Sequence, residues 1–386
     1  MALKIIVSAN TSWYLWNFRC ALIDELISRG HEVVLIAPRD RYTQRLQERH
    51  GCQVMCLPMK GQRQNLAREL HALWVYCCRF YSIRPDLYLA FTVKPILYGG
   101  LAAKLLGVVT IPTITGLGTA FIRESTTTRL IEFMYRKVLP DASTIFFQNH
   151  ADKELFITRK LANKSQSRVC PGSGVDLHRF SYTRPQLRDS EDGVKFLMVA
   201  RLLRDKGVTE LVQAAEQVRR RFPATQFLLA GKAGADNSTA IDSRVIAKWC
   251  ERGVITHLGE IDDIVPVIAD VDCVVLPSYR EGLSRSLLEA AAVGRPIVTT
   301  NVPGCADVVD NEITGFLCES RNAVSLEKQL LRFISLSPEK REAMGKAARK
   351  KIEAQFSEAH VIREYIGAIA DAADSDRKFA MKLRSD

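Results

Sequence analysis

The chain has 386 residues, of which 47% are hydrophobic and 25% charged, the proportions of a soluble globular protein large enough for two domains. No run of about 18 uncharged apolar residues occurs, so we expect no membrane-spanning helix, and the first residues lack the pattern of a signal peptide. The ten cysteines have no metal-binding spacing, which favours reduced thiols in a cytoplasmic protein.

The positive charge is unevenly distributed along the chain. Residues 1–180 contain 24 Lys and Arg against 13 Asp and Glu, whereas residues 181–386 contain 30 of each. The formal net charge of +11 therefore belongs to the first half, which predicts an anionic partner for that half alone. Nucleic acid, an anionic membrane and a phosphate-bearing acceptor are all compatible with it.

Short strands and helices alternate through the first half. Strands are predicted at 3–9, 31–37, 53–58, 86–90, 109–115 and 143–148. Helices are predicted at 18–29, 44–50, 65–83, 97–106 and 126–139. Alternation of this kind is typical of a mainly parallel sheet with helices on both faces.

The alternation restarts after a less regular segment at 163–188, where we place a linker. Strands are predicted at 195–200, 226–230, 255–258, 272–277 and 297–300. Helices are predicted at 208–221, 238–252, 261–269, before Gly294, and in the tail at 325–353 and 358–373. The predicted fold class is α/β, with two doubly wound Rossmann-like domains that face an interdomain cleft.

Two glutamates lie in the stretch 277–303. Glu281 follows a buried strand in a polar loop, and Glu289 lies about two turns into a helix that is otherwise apolar. A carboxylate in such surroundings is costly without a partner, so the pattern predicts one. The alternative is a helix-dipole partner at Glu281 and a solvated glutamate at Glu289.

Two cations follow the first strand of the second half. Arg201 comes directly after the strand end and Lys206 shortly before the next helix, an arrangement that can hold a diphosphate. Taken alone, the two residues are better explained as surface bases in a loop. Together with Glu281 and Glu289 they favour a sugar-nucleotide site, in which cations hold phosphate and carboxylates hold hydroxyls.

Several short motifs carry a resemblance to a known family. They are Asn17-Phe-Arg19, Gly30-His-Glu-Val33, Gly174-Val-Asp176, Ala200-Arg-Leu202 with Lys206-Gly207, Glu281-Gly-Leu283 with Glu289-Ala290, and Gly315-Phe-Leu317. With them the chain resembles the family 4 glycosyltransferases of the GT-B fold over nearly its whole length. The resemblance implies an acceptor-binding domain at 1–180, a donor-binding domain at 190–357, and a last helix near 358–386 that packs back on the first domain.

The resemblance also implies roles for single residues. Arg201, Lys206 and Glu281 would be the catalytic group, with the two cations on the donor diphosphate and Glu281 on the transferred sugar. Glu289 would bind the ribose, and the backbone amides of Gly282, Leu283 and Ser284 the phosphate and sugar. Asn17 and Arg19 would contribute to substrate binding. Retention of anomeric configuration, without metal or cofactor, is implied as well.

Three further stretches resemble the bacterial branch of that family that builds lipid-linked oligosaccharides, O-antigen and capsule. They are 91–100, 113–118 and 147–149. This branch implies a UDP-N-acetylhexosamine or related UDP-hexose as donor, and a polyprenyl-diphosphate-linked saccharide as acceptor. Thr115, Gly116 and Gly118 could bring backbone amides to a phosphate, or could form a tight turn that the fold requires.

The predicted helix 65–83 interleaves basic and aromatic residues. It carries Arg68, Leu70, Trp74, Tyr76, Arg79, Phe80 and Tyr81, with Arg84 directly after it. Such a helix suits a lipid interface, which predicts a peripheral protein on the anionic inner face of the plasma membrane. The alternative is a core-facing helix with solvated arginines.

Two other functions are open on the sequence. An NDP-sugar 2-epimerase shares the GT-B architecture but would need further acid and base residues and no acceptor. A nucleic-acid-binding protein would need clustered charge or a known reader motif, and the charge here is spread along α/β units. We therefore expect no nucleic-acid partner.

Overall fold

The chain divides into two units in a computed structural model, which describes residues 2–57, 66–117, 126–186, 188, 193–234 and 239–385. The first unit comprises Met1–Ser173 with Ala359–Asp386, and the second comprises Gly174–Glu358. The boundary lies before the predicted 180 because Val175 belongs to the second unit. Its N–H donates to the Phe356 carbonyl, and its own carbonyl accepts from the Glu358 N–H.

The first unit is built on a parallel sheet in the order β3-β2-β1-β4-β5-β6-β7. Its strands are β1 (Lys4–Ser8), β2 (Glu32–Pro38), β3 (Gln53–Leu57), β4 (Leu87–Phe91), β5 (Val109–Ile114), β6 (Ile145–Phe147) and β7 (Ser167–Val169). Its helices are α1 (Ser12–Phe18), α2 (Cys20–Ser28), α3 (Thr43–His50), α4 (Leu66–Ile83), α5 (Gly100–Leu106), α6 (Thr126–Val138) and α7 (His150–Thr158).

The inner strands of this sheet, β1, β2, β4, β5 and β6, are buried on both faces, which explains their continuous apolar runs. In β1, Ile5 and Val7 pack into one core cluster and Ile6 into another, on the opposite side of the sheet. Helices α4 to α7 cover the Ile6 side, and α1, α2 and α3 cover the other. The predicted sheet with helices on both faces is confirmed for this unit.

The first predicted helix, 18–29, is wrong in its start and its continuity. Thr11 accepts a hydrogen bond from the Tyr14 N–H and caps α1, which therefore begins at Ser12, six residues earlier than expected. The backbone of Arg19, with φ of −134°, then separates α1 from α2. Near the predicted linker, α7 and β7 were both missed, because each is short and neither has a strong apolar period.

The second unit has a parallel sheet in the order β10-β9-β8-β11-β12-β13. Its strands are β8 (Lys195–Val199), β9 (Gln226–Ala230), β10 (Thr256–Gly259), β11 (Cys273–Leu276), β12 (Ile297–Thr300) and β13 (Gly315–Cys318). Its helices are α8 (Val208–Arg221), α9 (Ser243–Glu251), α10 (Val265–Ala269), α11 (Arg285–Val293), α12 (Ala323–Ile334) and α13 (Pro338–Gln355).

The predicted continuous tail helix 325–353 is two helices in the structure. Ser337 accepts a hydrogen bond from the Lys340 N–H and Pro338 occupies the first helical position, so a new helix starts there. The strand β13 was not predicted, because four residues carry too short a pattern. It completes the sheet beside β12 through pairs from Ile297–Gly315 to Thr300–Cys318.

The last helix, α14 (Glu358–Ser385), packs on the sheet of the first unit. The Tyr365 hydroxyl and the Thr113 hydroxyl lie 2.7 Å apart, and the Tyr365 ring lies against Phe91 and Phe146. Arg168 of β7 forms an ion pair with Asp371. These contacts assign the end of the chain to the first unit.

Among the described helices, none is both long and apolar enough to cross a membrane.

Candidate functional site

The predicted donor residues of the second unit lie where its chain reverses direction across the sheet. The strand β8 has β9 on one side and β11 on the other, so the topological switch falls between β8 and β11. Arg201 and Lys206 follow β8, and Glu281 follows β11. Ligands of open α/β sheets bind at such a point, beyond the carboxyl ends of the strands.

Lys206 and Glu281 form an ion pair across this switch point. Both side chains are largely buried, with 18% and 14% exposed. Lys206 ends a 3-10 turn and is followed by Gly207, whose φ is +76°. A Cβ at Gly207 would lie 2.0 Å from the Pro277 carbonyl oxygen, so the two loops approach more closely than any other residue type allows.

The loop that carries Glu281 is held by the loop after β12. The Glu281 N–H donates to the Pro303 carbonyl at 3.1 Å, and the Ser284 N–H donates to the Gly304 carbonyl at 2.9 Å. A Cβ at Gly304 would lie 2.4 Å from the Glu281 carbonyl oxygen. Glycine is therefore required here too, and the Ser284 amide already has an acceptor.

The helix α11 begins directly after this loop and points its first N–H groups toward it. Its cap residue, Ser284, makes no side-chain capping bond. The Leu283 N–H finds no acceptor in the part of the chain that the structure describes. An anion at this helix start would meet both the free amide and the positive end of the helix dipole.

Glu289 is buried in α11 and paired within its own helix. The Arg285 Nε donates to Glu289 Oε1 at 2.9 Å, and Arg285 Nη1 also donates to the Gly174 carbonyl at 2.8 Å. Burial raises the pKa of the Glu289 carboxyl, and the nearby Arg285 charge opposes that rise. The predicted partner for Glu289 is confirmed. Sequence reasoning did not name Arg285, although the spacing of four residues was a usable signal.

Arg201 lies apart from this pair. Its side chain is exposed and forms no ion pair with any residue that the structure describes. The strand end before it is fixed, because a Cβ at Gly231 would lie 1.9 Å from the Ala200 carbonyl oxygen. The structure therefore places Arg201 at the same edge of the sheet as Lys206, without a contact to Glu281.

Tyr279 braces the site loop and was missed in the sequence. Its hydroxyl donates to Glu210 Oε1 at 2.6 Å, its N–H donates to the Asp205 carbonyl, and Arg321 stacks on its ring. Burial raises the pKa of Tyr279 to about 12. An aromatic residue before a glutamate carries no sequence signal for such a role, since its partners lie far along the chain.

An acidic pair with the spacing Asp-x-Asp, Asp270 and Asp272, lies at the opposite end of the sheet. Asp270 bonds to Lys195, which lowers its pKa, while burial raises the pKa of Asp272, which pairs with Arg188. Both residues precede β11, away from Glu281, and these contacts give them a structural role. Across the described ranges, no three His, Cys, Asp or Glu side chains are grouped to hold a metal ion.

The residues predicted for substrate binding in the first unit have partners in that unit. Asn17 Nδ2 donates to the Trp13 carbonyl at 2.9 Å. Arg19 is buried, with its guanidinium 4.2 Å from the centre of the Phe91 ring and bonded to the Tyr14 hydroxyl. Both positions follow β1, but these contacts do not bring either side chain to a binding surface. Their role in binding substrate stays a prediction.

The turn after β5 contains the other predicted backbone site. Thr115 and Gly116 are half-buried directly after the strand, and Gly116 has a φ of +112° that favours glycine. Gly118 lies outside the described residues. The structure brings this turn to the carboxyl edge of its sheet, where a phosphate could be bound. The positive φ of Gly116 is a second reason for glycine at this position, independent of any ligand.

Two families match the chain, one in each unit. The family described as "Glycosyl transferase 4-like" matches residues 4–149, and "Glycosyl transferases group 1" matches residues 181–351. The second match contains Arg201, Lys206, Glu281 and Glu289.

Curated relatives and solved structures are similar over most of the chain. N,N'-diacetylbacillosaminyl-diphospho-undecaprenol alpha-1,3-N-acetylgalactosaminyltransferase of Campylobacter jejuni is 28% identical, over 82% of this chain and 85% of its own length. UDP-Gal:alpha-D-GlcNAc-diphosphoundecaprenol alpha-1,3-galactosyltransferase of Escherichia coli is 27% identical, over 64% of this chain and 66% of its own length. The crystal structure of Anabaena HepE in complex with UDP-glucose has a TM-score of 0.78 and 17% identity, covering 95% of this chain and 99% of that chain.

Proposed function

This chain belongs to the family 4 glycosyltransferases of the GT-B fold, and on that premise we propose a specific reaction for it. It moves an N-acetylhexosamine or related hexose from a UDP-sugar to a polyprenyl-diphosphate-linked saccharide in bacterial surface-glycan assembly. The second unit binds the donor and the first unit binds the acceptor.

The single observation that carries the proposal is the Lys206–Glu281 pair at the switch point between β8 and β11. A lysine held there by a carboxylate is preorganised to meet a diphosphate, and the start of α11 adds the Leu283 amide. Glu281 then accepts hydrogen bonds from sugar hydroxyls. Arg201, exposed and without a carboxylate partner in the described part, can turn toward the same phosphates.

Glu289 suits a nucleoside hydroxyl better than a phosphate. Its carboxylate is held by Arg285, and burial favours its neutral form, so a second anion nearby would be disfavoured. A ribose hydroxyl can donate to the same carboxylate at no cost in charge. We therefore assign Glu289 to the ribose and leave the diphosphate to Lys206 and Arg201.

The reaction we propose retains the configuration at the anomeric carbon and uses no metal. The acceptor hydroxyl oxygen bonds to the anomeric carbon on the face that UDP leaves, while the bond from that carbon to the phosphate oxygen breaks. The hydroxyl proton passes to the departing phosphate oxygen, so no protein base is required. Both curated relatives are named for alpha-linked products, which supports retention if the donor is an alpha-linked UDP-sugar.

A thermal-shift screen of nucleotide sugars tests the donor. A bound donor stabilises the protein by about 2.7 kcal/mol at a hundred times its dissociation constant, so UDP-hexoses and UDP-N-acetylhexosamines should raise the melting temperature. Preferential stabilisation by a GDP- or CMP-sugar would contradict the UDP assignment.

The transfer itself is tested with a synthetic polyprenyl-diphosphate-linked monosaccharide and the stabilising UDP-sugar. We expect UDP release and an extended glycolipid only when both substrates are present. Conversion of the UDP-sugar to an epimer in the absence of acceptor would instead establish the 2-epimerase.

A further inference from the structure

Three helices, α4, α5 and α6, cover one part of the first unit side by side. Each buries one side in the same core cluster, through Tyr76 of α4, Ala103 of α5 and Tyr135 of α6. Their opposite sides therefore point away from the same face of the sheet. The outward-pointing residues of these helices are called the α4–α6 surface below.

The α4–α6 surface exposes an unusual amount of large apolar side chain. On α4, Trp74 is 61% and Tyr81 69% exposed, while the neighbouring aromatics Tyr76 and Phe80 are buried. The exposed members are Leu70, Trp74 and Tyr81 on α4, Leu105 and Leu106 on α5, and Leu130 and Phe133 on α6. The predicted helix 65–83 thus faces the core with some aromatic residues and offers others to an interface. Exposed apolar patches of this kind mark interaction sites.

Among the described residues of the second unit, the exposed large apolar side chains are Val245, Ile313 and Val324. They belong to different elements, and none is aromatic. The α4–α6 surface is therefore not a general feature of this chain.

Positive charge surrounds these apolar residues. Arg68, Arg79 and Arg129 are exposed and form no ion pair within the described ranges, and Lys137 lies 5.5 Å from the centre of the Phe133 ring. The three helices contain two carboxylates, Glu69 and Glu132, which are paired with Lys94 and Arg159. The three helices themselves therefore offer cations and apolar rings without an exposed carboxylate, and the exposed Asp141, just after α6, pairs with Lys104 of α5.

We propose that the α4–α6 surface docks on an anionic lipid bilayer, which brings the first unit to its membrane-bound acceptor. The inference rests on the proposed function for the acceptor and goes beyond it by naming the surface. Trp and Tyr suit the boundary between headgroups and acyl chains, and Lys and Arg suit anionic headgroups. A second copy of this chain fits less well, since two such surfaces would bring like charges together.

Co-sedimentation with vesicles tests the proposal. The full-length protein should bind vesicles that contain phosphatidylglycerol, and bind pure phosphatidylcholine vesicles much more weakly. Each basic residue near an anionic membrane contributes about fivefold to binding, so Arg68→Ala with Arg79→Ala should weaken it about 25-fold. Trp74→Ala with Phe133→Ala should weaken it at least tenfold, by roughly the loss of two interfacial aromatics.

Matched variants outside the surface control for general effects. Arg45→Ala removes an exposed cation from α3, on the other side of the same sheet, and Ile313→Ala removes an exposed apolar residue of the second unit. Both should bind vesicles as the unmodified protein does. Equal losses in these controls would overturn the assignment of binding to the α4–α6 surface.

A native thiol reports the contact directly. Cys78 is exposed on α4, four residues from Trp74 and three from Tyr81. Vesicles with phosphatidylglycerol should slow the alkylation of Cys78 by a water-soluble maleimide at least about fivefold. The Cys78 adduct is identified as the one that is missing in Cys78→Ser. Unchanged alkylation on vesicles that do bind the protein would place the membrane contact elsewhere.

The outcomes separate this proposal from the proposed function. If the surface variants lose vesicle binding but keep stabilisation by the UDP-sugar, the docking surface is established. If the unmodified protein binds UDP-sugar but no anionic vesicle, the docking proposal fails and the transferase assignment stands. A homodimer that Trp74→Ala dissociates, without vesicle binding, would show that a second copy occupies the surface.

Discussion

The two units share one strand order around their first strand but differ in how their cationic side chains are paired. In the second unit, two cations at the carboxyl edge have carboxylate partners, in the pairs Lys206–Glu281 and Arg285–Glu289, while Arg201 has none among the described residues. In the first unit, Arg19 is enclosed by aromatic rings. Arg68, Arg79 and Arg129 of its α4–α6 surface have no carboxylate partner among the described residues. The shared topology sets where a ligand could bind, and the side chains decide which kind.

This difference has a physical reason. A carboxylate beside a lysine holds the cation in place at a small, enclosed site, where a ligand must be oriented within tenths of an ångström. A broad surface that meets many lipid headgroups has to attract them but does not have to orient them. Carboxylate partners for its cations would therefore only weaken its attraction to the anionic headgroups. Substitutions in the two units should therefore have different consequences.

The tail helix should be essential to the first unit. Tyr365→Ala removes a buried ring and its hydrogen bond to Thr113, and should lower the free energy of unfolding by about 3–5 kcal/mol. Tyr365→Phe keeps the ring and should cost about 1 kcal/mol. Guanidinium unfolding followed by circular dichroism measures both. A loss below about 1 kcal/mol for the alanine variant would show that α14 contributes little.

The paired charge of the second unit should dominate turnover. Lys206→Ala should lower kcat about 100- to 1000-fold, because a preorganised cation at the leaving phosphate is lost. Arg201→Ala should act in the same direction. Lys350→Ala, an exposed lysine of α13, serves as the control and should leave kcat unchanged. Release of UDP measures all three, and near-normal rates in both site variants would refute the donor assignment.

The close approach of the two site loops depends on Gly207. Gly207→Ala adds a Cβ against the Pro277 carbonyl at positive φ, and should destabilise the fold by about 1–3 kcal/mol and weaken UDP binding. Gly253→Ala has a similar φ of +68° but open space around its Cβ, so it should cost about 1 kcal/mol and leave UDP binding intact. Calorimetric titration with UDP distinguishes them. Equal UDP affinity in the two variants would mean that the loop contact does not shape the site.

The smallest effect concerns pH and Glu289. Burial raises the pKa of the Glu289 carboxyl, so this carboxyl holds its proton more tightly in the folded protein than in the unfolded chain. Its favourable contribution is complete below the unfolded pKa of about 4.3 and is lost as pH rises through the folded value. Relative to Glu289→Gln, the unmodified protein should therefore become less stable as the pH rises above about 4.3.

The measurement for Glu289 is denaturant unfolding of both proteins below and above that pH. Other titrating groups are present in both and cancel in the difference. A difference of the opposite sign would show that the Arg285 charge outweighs burial at Glu289.

Some of the site was readable because it depends on neighbours in sequence. The glycines after Lys206 and before Cys305 mark turns, and the apolar runs around Glu281 predict β11 and β12. The need for a partner at Glu289 followed from the polarity of its helix. Tyr279, by contrast, gains its role from Glu210 and Arg321, which are distant along the chain, and no local pattern indicates such a contact.

Local sequence patterns are sufficient to predict the βα alternation, the two sheets and the edge at which Lys206 and Glu281 lie. Apolar period, turn glycines and strand ends are local properties, and parallel topology follows from them. The burial of Arg19, the exposure of Arg201 and the division of the α4 aromatics between core and surface are visible in the folded protein alone. Those outcomes depend on which helix covers which face of a sheet, and that is set by contacts between residues far apart in the chain.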